Sequence, residues 1–455
     1  MKTSRPALVS TDAILAALGS LPLPDEEVAA FCQALTRRHP SALRLRRHVD
    51  VELPFATEAI PWYRLGQRTI DAQVSPSRLL SYATADYYLQ DAGSMLALAA
   101  CDADGDALAA RDGLLFCDLC AAPGGKASGL LEAIGDNGFL LANEPIRSRI
   151  APLSYNLART GSDRFAISSI DPDQLADRLS GVFDVVLVDA PCSGQALLSR
   201  GRQTASALSQ RQIAHSAARQ RRILIAATRL LRDGGRLIYS TCTFTEEENE
   251  QQVAYLINQG LARCYPVDRL APYQSPAGWP ACYRLWPHRH RCAGSFAASL
   301  ETAAVDGQHA GKRSWRRQRG DKPPTAIERW FDVDAETSRL KLLDAVVFAW
   351  PEDAPAWIDE LATAGPEILH RTGQTWKPAH AAALRRVDRF ACRQSIEVDA
   401  ATAKTFLSGQ SIASDCEGWQ VVRYRQQPLG WIKASQGTGK NHLPAAARMI
   451  GPWLC

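Results

Sequence analysis

The chain reads as an α/β protein built on a mostly parallel sheet with helices on both faces, and three observations predict it. Short apolar runs alternate with helical periodicities between residues 114 and 257. The polar and glycine-rich segments fall at the ends of those runs. Connections are long enough to carry a helix from one strand to the next, as parallel pairing requires.

The elements follow in order. Residues 114–119 form an apolar strand and 139–143 a second, with 147–160 helical between it and the next strand at 165–169. Residues 183–188 make a further strand. From 209 to 232 the apolar positions Ile213, Ala217, Leu224, Ala227 and Leu231 recur at helical spacing. Gly234 and Gly235 are expected to end that helix, with a strand at 236–240. Thr245-x-x-Glu248 reads as a capping box opening a helix through residue 257. A Pro/Gly-rich stretch at 266–287 precedes a last strand at 295–300.

On either side the pattern changes. Up to about residue 110, a helical segment at 25–38 is mixed with pieces broken by Pro54, Pro61 and Pro76. Beyond 323, strand-like pieces at 345–350 and 419–424 among many turn residues suggest a small β-rich domain. The expected division is an accessory region at 1–85, a core at 86–305, a basic linker at 306–322 and a C-terminal domain at 323–455. The linker sets Lys312, Arg313, Arg316, Arg317, Arg319 and Lys322 around Trp315. Such a run suits a solvated linker, and equally a strap that attracts phosphates and offers one ring for stacking.

Composition narrows the class. With 455 residues, 46% of them hydrophobic and 22% charged, the chain suits two to four domains of a globular protein. No apolar run reaches 18 residues, and 13–18 is too short for a signal-peptide core, so neither a membrane span nor secretion is expected. Twelve scattered cysteines in so large a chain suit reduced thiols and a cytoplasmic protein. No metal is expected. Cys117 and Cys120 lie on one strand, where the pleat keeps them from converging, and His288, His290 and Cys292 lack a companion pair.

In open α/β sheets ligands bind beyond the carboxyl ends of the strands, and each notable motif falls there. Cys120, Ala121, Ala122, Pro123, Gly124, Gly125 and Lys126 join the first strand to a helix. Small residues let a backbone approach a ligand, and Lys126 can meet a carboxylate. The loop matches neither Walker A nor G-x-G-x-x-G, which disfavours ATP and nicotinamide cofactors. Glu144 after the second strand suits ribose hydroxyls, and Asp171 after the third suits an adenine amine; singly, each is more often a turn or cap acid, and their places after successive strands raise the functional reading. Asp189, Ala190, Pro191 and Cys192 follow the fourth strand, and Thr241, Cys242 and Thr243 the fifth. Cysteines on apolar faces are usually inert packing, but these two sit among polar residues where the site is built.

CDLCAAPGGKA, NEP, DAPCSG and YSTCT, in that order, resemble the Sun family of RNA (cytosine-5) methyltransferases. The likeness extends to QDAGSM at 90–95 and RLWPHRH at 284–290. PLGW at 428–431 and KNHLP at 440–444 are similar to the PUA-like tail of the family's bacterial RsmF branch. The resemblance implies a Rossmann-like core dependent on S-adenosylmethionine, an N-terminal α/β accessory region and a C-terminal PUA-like RNA-binding domain. It implies that residues 120–126 line the cofactor's methionine and ribose, that Glu144 holds the ribose and that Asp171 meets the adenine. By the same resemblance Asp189 would lie near both cofactor and base, Cys242 would be the nucleophile, and Cys192 would assist product release. Addition of a thiolate at carbon 6 makes carbon 5 of cytosine nucleophilic, which divides one hard step into easier ones. The base must be unstacked, so an unpaired RNA segment is the expected substrate. Within that branch the expectation is small-subunit ribosomal RNA, acted on by a monomer, with transfer RNA or large-subunit RNA as alternatives. A DNA cytosine methyltransferase would leave Cys242 without purpose. A non-catalytic RNA-binding scaffold would be expected to lose a cysteine or the glycine loop, and both are intact.

Overall fold

The computed structural model describes residue 14 and residues 23–453, apart from 48, 50, 72, 201–204, 277–278, 304–323, 334–337, 388–389 and 450–452. The basic strap at 312–322 thus lies outside the described residues.

Helix α1 (Asp25–Leu35) opens with Asp25, Glu26 and Glu27, acids that suit the positive end of a helix dipole. It ends three residues earlier than the periodicity suggests. Its buried Phe31 meets Phe244 and Trp286 edge-on, at 4.9 and 5.7 Å between ring centroids. Strands β1 (Ala42–Leu45), β2 (Thr57–Ala59), β3 (Gly66–Thr69) and β4 (Tyr87–Leu89) form an antiparallel sheet in the order β2-β3-β1-β4.

The core follows as β5 (Leu115–Asp118), α2 (Gly125–Ile134), β6 (Phe139–Asn143), α3 (Ile150–Ala158), β7 (Phe165–Ser168), α4 (Pro172–Arg178), β8 (Phe183–Asp189), α5 (Gln210–Leu230), β9 (Leu231–Thr241), α6 (Glu250–Asn258), β10 (Ala262–Cys264), β11 (Cys282–Leu285) and β12 (Ser295–Thr302). The sheet order is β10-β12-β9-β8-β5-β6-β7, with β11 beside β12. Strands β5 to β9 pair in parallel and β12 runs antiparallel to β9. Every residue of β6 and β7 is buried, as expected of strands covered on both faces. After β7 the chain returns to the other side of β5, so the order reverses between β5 and β8. That switch point opens a crevice at the strands' carboxyl ends.

Helix α5 stops at Leu230, and strand pairing begins at Leu231. Gly234, at φ +68°, and Gly235 therefore lie inside β9 rather than capping the helix. They accompany a register shift against β8 between Phe183 and Val185, where a glycine accommodates the irregular backbone.

Beyond the core come β13 (Phe331–Val333), β14 (Ser338–Leu343), β15 (Val346–Pro351), β16 (Glu367–Thr372), β17 (Thr375–Pro378), β18 (Phe390–Cys392), β19 (Ser395–Glu397), α7 (Ala400–Leu407), β20 (Ile412–Ala413), β21 (Gly418–Tyr424), β22 (Gln427–Ser435) and β23 (Thr438–Asn441). They build a four-stranded sheet, β14-β15-β16-β17, and a five-stranded one, β19-β21-β22-β23-β20. The first of these is joined to the core. Trp350 Nε1 donates to Phe165 O at 2.7 Å, Thr363 N to Ile167 O at 2.8 Å, and Trp350, Trp357 and Leu361 share the core's apolar cluster. The open edge of β7 is thereby covered, which satisfies its backbone groups. No helix among the described residues is long and apolar enough to cross a membrane.

Candidate active site

The loop after β5 is held from behind. Arg149 Nη2 donates to Ala122 O at 2.6 Å, Asn156 Nδ2 to Pro123 O at 2.7 Å, and the Ala122–Pro123 peptide is cis. Gly124 has φ +110°, and a Cβ there would lie 3.0 Å from Asn156 Cβ, so conformation and space both demand glycine. The turn delivers Lys126 to the end of β8, where Nζ pairs with Asp189 Oδ2 at 2.7 Å. Ser240 Oγ donates to the other Asp189 oxygen at 3.0 Å. Burial pulls the Lys126 pKa down, but Asp189, with Cys242 as a smaller contributor, outweighs it and the net shift is upward.

The loops after β8 and β9 meet. Ala190 N donates to Ser240 O at 2.9 Å and Ala196 N to Cys242 O at 3.0 Å. Between these ties, Cys192 Sγ and Cys242 Sγ are 3.1 Å apart. The hydrogen bond to Cys242 and then burial push the Cys192 thiol well above its ordinary pKa. Either sulfur can donate to the other across this contact.

A cavity of ≈ 440 Å³ opens over these groups. Residues 120–123, Gly125, Lys126, Asp189 and Cys242 line it, together with Tyr88, Gln90 and Asp118. A second cavity, of ≈ 350 Å³ and walled by Arg38 and His39, shares Leu89, Gln90 and Asp91 with the first and extends it outward. Sequence reasoning passed over Asp118, which is buried at the end of β5. Burial, then the charge of Asp189, pushes its pKa up to about 8, and its Oδ2 has no hydrogen-bond partner. Its place at a strand end was the one signal available.

Cys192, Gly124, Glu144 and Asp171 are not part of the cavity wall, and Cys192 reaches it only through its contact with Cys242. Glu144 is buried at the end of β6; Oε1 accepts from Ile146 N at 3.0 Å, and Arg149 Nη1 lies 3.0 Å from Oε2 as an ion pair without hydrogen-bond geometry. Asp171 caps α4 through Asp173 N at 3.0 Å and pairs with Arg222 at 3.2 Å. Orphaned oxygens on Asp118 and Glu144, a glycine turn with no room for Cβ, and a lysine beside the cleft fit a ligand carrying an amine, hydroxyls and a carboxylate. S-adenosylmethionine has all three, and the residues present fit it.

The expected capping box is absent. Thr245 makes no side-chain cap, residues Glu246–Glu248 form a 3₁₀ turn, and α6 starts only at Glu250. The Glu248 carboxyl group is turned inward beneath the two cysteine loops. Among the described residues no group of three or more His, Cys, Asp or Glu is placed to hold a metal ion.

Comparison with known proteins agrees with this arrangement. Residues 106–301 match the family described as 16S rRNA methyltransferase RsmB/F, and 393–449 match the methyltransferase RsmF PUA domain. The ribosomal RNA small subunit methyltransferase F of Pectobacterium atrosepticum is 33% identical over 445 residues, covering 92% of this chain and 91% of that protein. The protein of the same name from Vibrio vulnificus is 25% identical over 446 residues, covering 92% and 93%. Two solved structures from Pyrococcus horikoshii share the fold. A methyltransferase homolog has a TM-score of 0.53 at 23% identity, over 64% of this chain and 98% of its own. NSun6 with SFG has 0.52 at 17%, over 66% and 99%.

Proposed function

The chain belongs to the RsmB/F family of 16S rRNA methyltransferases, and from that premise we propose that it methylates carbon 5 of a cytosine in small-subunit ribosomal RNA through a covalent bond to Cys242. The observation that supports this reading is that Cys242 lines a cavity with Lys126 and Asp189 while the Cys192 sulfur lies 3.1 Å from its own. A methyltransferase acting on a nucleophilic oxygen or nitrogen needs no thiol; activating carbon 5 of a pyrimidine does.

The cofactor is S-adenosylmethionine, which when bound supplies an electrophilic methyl group. Asp118 and residues 120–126 would hold it, with Glu144 serving the ribose and Asp171 the adenine amine once freed from Arg222. Addition of the Cys242 sulfur, as thiolate, to carbon 6 makes carbon 5 electron-rich. Asp189, held by Lys126 and Ser240, meets the exocyclic amine and favours electron flow toward the ring nitrogen. Loss of the carbon 5 proton, to water positioned by Cys192, then lets carbon 6 expel Cys242. The division at 86–305, 306–322 and 323–455 assigns chemistry to the core and RNA affinity to the linker and tail, in a cytoplasmic monomer.

The test is transfer of labelled methyl groups to small-subunit RNA, transfer RNA and large-subunit RNA, followed by bisulfite sequencing. Label at carbon 5 of one small-subunit cytosine, lost in Cys242→Ala, is the expected result. Label on another atom, or activity surviving that substitution, overturns the reading.

A further inference from the structure

Glu248 is fully buried, yet no cation lies among its hydrogen-bond partners. Two of its side-chain partners, Ser193 and Thr243, belong to the segments that carry the thiols, and the third, Gln220, comes from α5. Oε2 accepts from Ser193 N at 2.9 Å and from Gln220 Nε2 at 2.8 Å; Oε1 accepts from Ser193 Oγ and from Thr243 Oγ1, the latter at 3.3 Å. Ser193 follows Cys192 and Thr243 follows Cys242, and their hydroxyls are also 3.0 Å apart. Gln220, on α5, donates in addition to Pro191 O at 3.2 Å, which braces the first loop from its other side.

The next two residues extend the clamp. Asn249, fully buried, accepts from Thr241 Oγ1 and donates to Thr243 O at 3.0 Å. Glu250, also buried, pairs with Arg284 and accepts from Ser275 Oγ at 2.6 Å. Burying a carboxyl group costs far more than burying an apolar side chain, so packing gives no reason for an acid at 248. The helix cap that Thr245 and Glu248 would ordinarily form is forgone as well. Both costs are accounted for if the acid acts on the loops.

We propose that Glu248 is a positioning residue for the two thiols, clamping the residue after each cysteine so that the Cys192 sulfur stays against that of Cys242. The inference rests on the roles proposed above for the two sulfurs. Cys242, burial and Glu248, in that order, hold the Cys192 thiol up, and Tyr239 is a further titratable group facing it. Removing the acid both loosens the spacing and relieves a negative charge. Each change favours ionisation of Cys192.

The experiment uses the full chain without RNA, so it does not depend on which nucleotide is methylated. Limiting iodoacetamide is reacted with wild type and with Glu248→Gln, and each cysteine's alkylation is read by peptide mass spectrometry between pH 6 and 9. Wild type should react at Cys242 in preference to Cys192. In Glu248→Gln that preference should fall by about tenfold, the factor carried by one pKa unit, with S-adenosylhomocysteine affinity within about twofold of wild type by calorimetry (a 0.4 kcal/mol window). An unchanged preference with cofactor affinity retained overturns the proposal. Should Glu248→Gln fail to bind cofactor, Gln220→Leu and Thr243→Val decide, since each removes one donor to the same carboxyl group. A lowered preference in both supports the clamp, and wild-type behaviour in both overturns it. Failure of the reaction scheme itself would appear separately, as activity surviving Cys242→Ala.

Discussion

Cys192 and Cys242 stand fifty residues apart in the chain and 3.1 Å apart at their sulfur atoms. They meet because β8 and β9 are parallel neighbours, paired Asp189 to Ser240, so that both strands end at the same height in the sheet. The roles proposed for them, attack by Cys242 and assisted departure by Cys192, make the pair asymmetric.

This asymmetry gives the first prediction. Cys242→Ala should abolish methyl transfer and leave cofactor binding nearly intact. Cys192→Ala should let the bond to carbon 6 form and impair its resolution, so a protein–RNA adduct should survive denaturing electrophoresis. The double variant should show no adduct. Adduct in Cys242→Ala and none in Cys192→Ala would reverse the two roles.

Asp118 predicts a pH dependence. Its carboxyl is raised from 3.8 to about 8 by burial and by Asp189, so it is neutral in the free protein at pH 7. A cationic amine brought against it favours the ionised form, and binding then releases a proton. Affinity for S-adenosylhomocysteine should therefore rise with pH and level off above about 8. Calorimetry in buffers of different ionisation enthalpy would detect the proton. Asp118→Asn should bind more weakly and lose the slope; a slope that persists places the titrating group elsewhere.

Linkage also gives this residue a sign for stability. The folded pKa lies above the unfolded one, so the Asp118 contribution is fully present below pH 3.8 and is lost as pH rises toward 8. Asp118→Asn should flatten the fall in melting temperature between pH 5 and 8, measured by calorimetric scans without cofactor.

Arg149 grips the Ala122 carbonyl and pairs with Glu144, so one side chain supports both the loop and the acid proposed to hold the ribose. Arg149→Ala should weaken S-adenosylhomocysteine binding by about 1–3 kcal/mol, the range for a buried group losing a charged hydrogen-bond partner. Because Arg149 is itself half exposed, thermal stability should change by less than affinity. Equal losses would make it a structural residue.

The tail cannot be removed without consequence for the core. Trp350 and Trp357 pack into the core cluster, and Trp350 donates to β7. Trp350→Ala should cost about 3–5 kcal/mol of stability, as large buried aromatics do, measured by urea unfolding. Ending the chain near residue 310 should expose the β7 edge and promote aggregation. RNA affinity is better probed by charge reversal at Lys312, Arg313, Arg316 and Arg317 in the full chain, which should flatten the salt dependence of binding.

Much of this was open to reading from the residues in order. Period and composition decided that 114–257 alternates strand and helix, and the strand ends named Lys126, Glu144, Asp189, Cys192 and Cys242. These are local properties, because a strand's end and the loop that follows depend on neighbouring residues. Whether side chains far apart in sequence meet is another matter. Thr245 and Glu248 carry a sound local signal for a cap, yet Glu248 turns to Ser193, Gln220 and Thr243, donors that only the parallel pairing of β8 with β9 brings near. Asp171 likewise finds Arg222 from α5, and the glycines at 234 and 235 serve a strand because β8 demands that register. Residues 350–364 close the sheet's edge because β7 leaves backbone groups that must be satisfied. The sequence by itself determined which chemistry each strand end offers. The tertiary structure decided which of those groups face one another, since a hydrogen bond or ion pair is set by distance through space and not along the chain.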